Sequence, residues 1–202
     1  MAQIALPELR ISLFPRPVVI VTSINTNDVV GATTISWTGI VSSRPPTVSV
    51  AFLPDSFTRR CIVDSREFVV NVPDGGLVVE ANLLGTVSGP WDYKLAELAS
   101  RHDRHLTLAP STLVRSPGIS ECYLSLECRC LLTQQVGLYD VFCGEVIKMH
   151  VRPDVLRQDH PRGNIDHTVV QPLICLGDEY WAGSEMLGHS TENKDHPHGG
   201  QH

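Results

Sequence analysis

PRPVVIVTSINTNDVVGATTISWTGIVSSRPPTVSVAF, residues 15–52, decides how this chain is read. Two β-rich runs surround a hydroxyl-crowded segment, Thr33-Thr34-Ile35-Ser36-Trp37, and a second polar cluster follows at Ser42-Ser43-Arg44-Pro45-Pro46. Strands ordinarily bury apolar side chains against a core. Small hydroxyls gathered around a tryptophan call for another partner, and a flat polar ligand held against a barrel wall supplies one.

Working outward, Arg16 to Ile24 reads as one buried strand, rich in Val and Ile. Asn25-Thr26-Asn27-Asp28 has the composition of a turn, and Gly31 opens the next strand. Thr47 to Phe52 alternates as a strand should, and Phe68 to Val72 is another, stopped by Pro73-Asp74-Gly75-Gly76. Between these two, Asp55 or Ser56 caps a short helix that turns Ile62 and Val63 inward. Leu77–Leu84 and Tyr93–Ala99 read as helices separated by the loop Gly85-Thr86-Val87-Ser88-Gly89-Pro90. Strands return at Leu124–Leu132, Asp140–Val151 and Pro172–Leu176. Strands with short inserted helices predict a mainly β fold, a split antiparallel β-barrel, and no GxGxxG follows a strand to support a dinucleotide fold.

At 202 residues and 42% hydrophobic content the chain suits one core. The expected organisation is a single domain over 1–188 and a polar, unstructured tail over 189–202. A net charge of −6 argues against nucleic acid and against acidic membranes as partners. Glu8 and Arg10 interrupt what a signal peptide would keep apolar, and no run approaches the ~18 apolar residues of a membrane helix, so a cytoplasmic location is expected. The six cysteines match neither a zinc ribbon nor a disulfide framework. Cys128 and Cys130 alternate in phase with Leu124, Leu126 and Leu132, which places them on an apolar strand face as small hydrophobes. No metal site is expected; the histidines of the tail propose no role.

These pieces, in this order, resemble the flavin reductase-like, FMN-binding split-barrel family, particularly its flavoredoxin-like branch. The resemblance rests on Pro15-Arg16-Pro17-Val18, Ser36-Trp37 followed by Ser43-Arg44-Pro45-Pro46, Ser56-Phe57-Thr58 before a helix, and Phe68-Val69-Val70-Asn71-Val72-Pro73. It continues through Gly85, Ser88-Gly89 and Asp92-Tyr93-Lys94-Leu95, then Ser125-Leu126-Glu127-Cys128-Arg129, Phe142-Cys143-Gly144-Glu145-Val146, Pro172-Leu173-Ile174-Cys175-Leu176-Gly177 and Tyr180-Trp181. It implies a homodimer with one FMN per subunit near the dimer interface. It also implies an oxidoreductase reducing flavin with NADH or NADPH, and a flavin, a small acceptor or a partner oxygenase receiving the electrons. Departures are Gly31 and Cys61 where the family often has Asn, and Leu53 and Pro54 where that branch places Arg or Lys.

The candidate site follows. An FMN phosphate needs N–H and O–H donors, and a helix start offers free N–H groups and a favourable dipole. Ser56, Thr58 and Arg59 or Arg60 stand there, with an arginine replacing the missing upstream base. From residues alone the same segment is an ordinary capped helix with two solvated arginines. The ring needs donors and acceptors along its pyrimidine edge; Thr34, Ser36, Ser42 and Ser43 fit this, with Trp37 packed nearby. Ser88 and Gly89 can approach a cofactor closely, and Lys94 either reaches an anionic oxygen or faces solvent. His150, at a strand end, either lines the nicotinamide side as the resemblance implies or is a rim residue. Two other classes stay open: a flavoredoxin-type electron carrier without NAD(P)H activity, and a barrel without cofactor acting as a binding module.

Overall fold

Along one strand of the barrel, Val19 and Val21 face one hydrophobic cluster while Ile20 faces another, and this period-two alternation sets the architecture. The structure is a computed structural model that describes residues 13–157, 164–183 and 187. The tail predicted over 189–202 lies outside the described residues. The elements are β1 (Arg16–Pro17), β2 (Val19–Ile24), β3 (Val30–Ile35), β4 (Thr38–Ser43), β5 (Pro46–Phe52), α1 (Phe57–Ser65), β6 (Glu67–Val72), α2 (Val78–Thr86) and α3 (Trp91–His102). They continue with β7 (Leu108–Ala109), β8 (Gly118–Ile119), β9 (Leu124–Val136), β10 (Tyr139–Val151), β11 (Leu173–Leu176) and β12 (Glu179–Ala182).

Seven strands form one antiparallel sheet in the order β3-β2-β6-β9-β10-β5-β4. It curls so that the chain leaving β3 meets β5, where Ala51 N donates to Trp37 O at 3.1 Å, yet among the described residues the end strands β3 and β4 do not pair with each other. This is a split antiparallel barrel with short helices. Its interior holds Val19, Val21, Val50, Phe52, Ile62, Phe68 and Phe142. On the other side of β2, Ile20 and Ala32 meet Leu83 and Leu84 of α2 and Trp91 and Leu98 of α3.

Several expectations are corrected. Arg16–Ile24 is two strands, because Arg16 and Pro17 pair with Cys175 and Ile174 in a small sheet, β1-β11-β12, before the chain enters the barrel at Val19. Ser56, not Asp55, caps α1, accepting from Arg59 N at 3.3 Å. Ile62 faces the core as expected, but Val63 is 45% exposed, one position around the helix from the buried stripe of Thr58, Cys61 and Ile62. On β9, Cys128 is buried but Cys130 is half-buried and Leu132 54% exposed, because the strand runs on past the barrel wall. The face of β9 opposite Cys128 buries Ser125 and Glu127 instead.

That polar burial is paired. Asn71 Nδ2 donates to Ile20 O and Thr22 Oγ1, both at 3.0 Å, and Asn71 Oδ1 accepts from Ile119 N at 2.9 Å and Ser125 Oγ at 2.8 Å. A single amide thereby ties β2, β6, β8 and β9 together, with the partners that a fully buried polar group requires. Gly144 marks the tightest point of the interior. A Cβ there would stand 2.4 Å from Phe68 Cζ and 3.0 Å from Cys128 Cβ, beside a register shift in the β9–β10 ladder. Phe68 is fully buried and has nowhere to move. Gly144→Ala is expected to lower the unfolding free energy by about 1–3 kcal/mol, read by urea denaturation; unchanged stability would show that Phe68 can shift.

Candidate functional site

β3 carries its hydroxyls to the open side of the split. There Thr33, Thr34, Ile35, Ser36 and Trp37 form one wall of a cleft of about 290 Å³, near the lower end of ligand cavities (about 300–1,000 Å³). The rest of the lining comes from Ala51, Phe52 and Leu53 at the end of β5, Asp55, Ser56 and Phe57 at the start of α1, and Leu84 to Gly89 in the last turn of α2 and just after it, with Lys94 of α3 and Tyr139. Tyr139 opens β10 and stacks on Trp37 with ring centroids 4.3 Å apart, an offset aromatic pair that fixes the indole at the mouth. Gly89, at φ +141, holds a backbone conformation other residues rarely adopt, and this lets the loop pass close to Tyr93.

Two lining residues carry polar groups with incomplete hydrogen bonding. Thr34 Oγ1 is buried and has no hydrogen-bond partner, a state that native interiors seldom tolerate. Lys94 is 2% exposed, and its Nζ donates to Ala32 O at 2.7 Å and Leu84 O at 2.9 Å. An ammonium has three N–H donors, so one remains for the cleft. Desolvation pushes the Lys94 ammonium down to about 8. Among the described lining residues, Lys94 is the one cation and Asp55 the one anion.

Of the expected residues, Thr34, Ser36, Trp37, Ser56, Ser88, Gly89 and Lys94 meet at this cleft. Thr58 is buried on the inner face of α1 with its hydroxyl bonded to Thr33 Oγ1 at 2.8 Å. Arg59 is turned to Asp140, with Nε 2.7 Å and Nη2 2.6 Å from Oδ2. Arg60 donates to the Asp55 carbonyl at 2.8 Å and lies over the Phe57 ring, outside the cleft lining. Ser42 and Ser43 end β4 at its hairpin with β5, where Ser42 Oγ accepts from Arg44 N at 3.1 Å; five residues of extended chain carry Ser42 roughly 17 Å beyond Trp37. Gly31 is closed in, since a Cβ there would lie 3.0 Å from Thr58 Cα; no side chain replaces the family's Asn.

His150 is not brought to the cleft by its own chain. It stands at the opposite end of β10 from Tyr139, roughly 35 Å along the strand. Its Nε2 lies 2.5 Å from Glu127 Oε1. Glu127 in turn accepts from Thr112 N at 2.7 Å, Leu113 N at 2.6 Å and Val114 N at 3.1 Å. Burial raises the Glu127 carboxyl, but the hydrogen bonds from Thr112, His150 and Leu113 outweigh it and leave the group below its ordinary range. This buried carboxylate serves the loop before β8, whose backbone donors it satisfies.

Sequence reasoning misses Tyr139; it gives Thr33 and Phe57 a place in its motifs but no role, and reads Asp55 as a charge that repels phosphate unless it points away. Tyr139 carries no local signal beyond following the Gly137-Leu138 turn; its pairing with Trp37 exists only in the folded sheet. The cleft extends on the other side of Ser36 and Trp37 into a second cavity of about 240 Å³, lined also by Leu13, Pro15, Arg16, Pro17 and Thr38. Arg16 Nη2 donates to Gly177 O at 2.7 Å while its Nε is buried without a partner.

The family model "Flavin reductase like domain" matches residues 11–180. Flavoredoxin of Desulfovibrio vulgaris (Miyazaki F) superposes with a TM-score of 0.81 at 25% identity, over 95% of this chain and 99% of that one. Nitrilotriacetate monooxygenase component B from Bacillus cereus gives 0.77 at 25% identity, over 94% and 98%. An uncharacterised protein of Archaeoglobus fulgidus is 33% identical over 114 residues, 56% of this chain; the match spans 61% of that relative. Among the described residues no helix is long and apolar enough to cross a membrane.

Proposed function

The chain belongs to the flavin reductase like family, and on that premise we propose that it binds FMN in the cleft and reduces it with NADH or NADPH. A flavin-related oxidoreductase or electron-carrier role follows from the family itself. Support for the finer statement comes from one observation above all: Thr34 Oγ1 is buried and unpartnered, and Lys94 Nζ has two acceptors among the described residues for its three N–H groups, with Thr34 and Lys94 both lining the cleft that Trp37 walls. A flavin ring offers acceptors along its pyrimidine edge that match both donors. Bound FMN supplies a hydride acceptor that passes electrons on singly or in pairs.

The chain's residues then have these tasks. Thr34 and Ser36 orient the polar edge of the ring. Lys94 places positive charge where a reduced ring gathers negative charge, in a site screened from water by Leu84, Phe52 and Trp37. The last turn of α2 and the loop Val87 to Gly89 close one edge. The cavity beside Trp37, with the unpartnered Nε of Arg16, suits an anionic second molecule such as the nucleotide donor. The electrons then go to free flavin, a small acceptor or a partner oxygenase.

Homodimerisation belongs to the same proposal. Ile40 (85% exposed), Leu138 (76%) and Val136 (60%) leave apolar surface uncovered on β4 and the β9–β10 hairpin, more than scattered surface residues require. Light scattering on the purified chain checks it, and a monomer at micromolar concentration refutes it.

Anaerobic titration of the FMN-loaded protein with NADH and with NADPH tests the reductase. Bleaching of the visible flavin band by either is expected. Bound FMN that neither donor bleaches would transfer the assignment to a flavoprotein electron carrier, which the likeness to flavoredoxin favours.

A further inference from the structure

A dianionic phosphate needs cationic or densely placed N–H donors to be worth holding out of water. The α1 end of this cleft offers the backbone N–H groups of one helix turn, but none of its described lining residues there is a cation. Arg59 is committed to Asp140, Arg60 to the Asp55 carbonyl and the Phe57 ring outside the lining, and the Thr58 hydroxyl to Thr33. Leu53 and Pro54 carry no charge, and Gly31 has no room for a side chain. Asp55, by contrast, lines the cleft, is exposed, and has no ion-pair or hydrogen-bond partner for its carboxylate among the described residues. It stands immediately before the Ser56 cap, so a carboxylate lies one residue from the positive end of the α1 dipole. The Ser56 hydroxyl accepts from Arg59 N, and it alone remains as a side-chain donor there.

We propose that the cleft recognises the isoalloxazine ring and sugar chain of a flavin but not its phosphate, with Asp55 disfavouring the dianion. FMN and riboflavin then bind alike, and flavin enters and leaves as an exchanging substrate instead of a retained prosthetic group. The inference rests on the flavin reading of the cleft given above. It places discrimination in a single turn, Leu53 to Ser56, remote from the ring-binding hydroxyls of β3.

Flavin fluorescence titration at low ionic strength tests it without relying on turnover. The wild-type dissociation constants for FMN and riboflavin are expected to agree within about threefold. Asp55→Asn should tighten FMN by about threefold, to parity with riboflavin, as removal of an exposed like charge does, with riboflavin unchanged. That gain should shrink as salt screens the turn. FMN binding more than about 30-fold tighter than riboflavin overturns the proposal, since a difference of that size requires a working phosphate grip. So does Arg60→Ala, if it weakens FMN about tenfold and spares riboflavin, because Arg60 would then serve the phosphate. An FMN affinity that Asp55→Asn leaves unchanged removes Asp55 from the explanation. Failure of both flavins to bind overturns the flavin reading of the cleft as well, and so is told apart from failure of the selectivity alone.

Discussion

Replacing Glu127 by Gln is expected to lower the unfolding free energy by about 3–5 kcal/mol, the cost of breaking a buried, fully bonded ionic arrangement from one side. The carboxylate is 0% exposed and accepts from the three successive N–H groups of Thr112, Leu113 and Val114 and from His150. A glutamine turns an NH₂ toward those donors and leaves one or more unpaired in the interior. The loop before β8 depends on them for its anchorage, so proteolytic nicking there should accelerate. His150→Ala is expected to cost less, because the imidazole is 41% exposed and water can replace it. The pH arm has a fixed sign. The Glu127 carboxyl is depressed in the folded chain. Its contribution is therefore present above the ordinary carboxylate range and is lost as pH falls through the folded value. Glu127→Gln should flatten that acid limb in urea denaturation. A variant within about 1 kcal/mol of wild type, with the same acid limb, removes Glu127 as the anchor.

Lys94 produces the opposite pH dependence. Its ammonium is lowered from 10.5 in the unfolded chain to about 8 by burial. Between those values the unfolded chain holds a proton that the folded chain has released, so stability rises with pH across this window. Below about 8 both states are charged and the full cost of burying the charge is present. Relative to Lys94→Met, wild-type stability should therefore climb by on the order of 3 kcal/mol from pH 8 to 10.5. The hydrogen bonds to Ala32 O and Leu84 O that the variant also loses are a pH-independent offset and drop out of the comparison. Parallel stability curves for the two proteins would show that Lys94 does not titrate in this window. Flavin binding gives a second readout: an occupant that accepts from Nζ holds the proton in place. Wild-type affinity should then weaken above about pH 8, whereas Lys94→Met binds weakly at every pH.

Much of the barrel is legible along the chain because strands announce themselves locally. Phe68–Val72 and Thr47–Phe52 keep their alternation, and the β9–β10 pair is visible as two long runs around Gly137. The helix after Ser56 is legible from its cap. What resists local reading is the change of partner at Val18, since nothing in Arg16–Ile24 marks where one sheet hands the chain to another. Glu127 is another case: a charged residue among Leu126 and Cys128 looks like a solvent-facing position, and only the loop before β8 covers it.

The candidate site divides along the same line. Thr34, Ser36, Trp37, Ser56, Ser88, Gly89 and Lys94 converge because each belongs to a short segment whose type suits ligand contact, and the order of segments is enough to suggest one site. Sequence by itself therefore determined the family, the barrel class and the hydroxyl wall opened by residues 15–52. Tertiary structure alone decided which charges reach the cleft. Arg59 and Arg60 stand beside Ser56 in the chain, yet Asp140 and the Asp55 carbonyl hold their guanidinium groups elsewhere. Side-chain direction depends on partners far away in sequence, and a long arginine can satisfy several of them. Lys94, 62 residues along the chain from Ala32 and ten from Leu84, is turned inward because the carbonyls of both residues await it there.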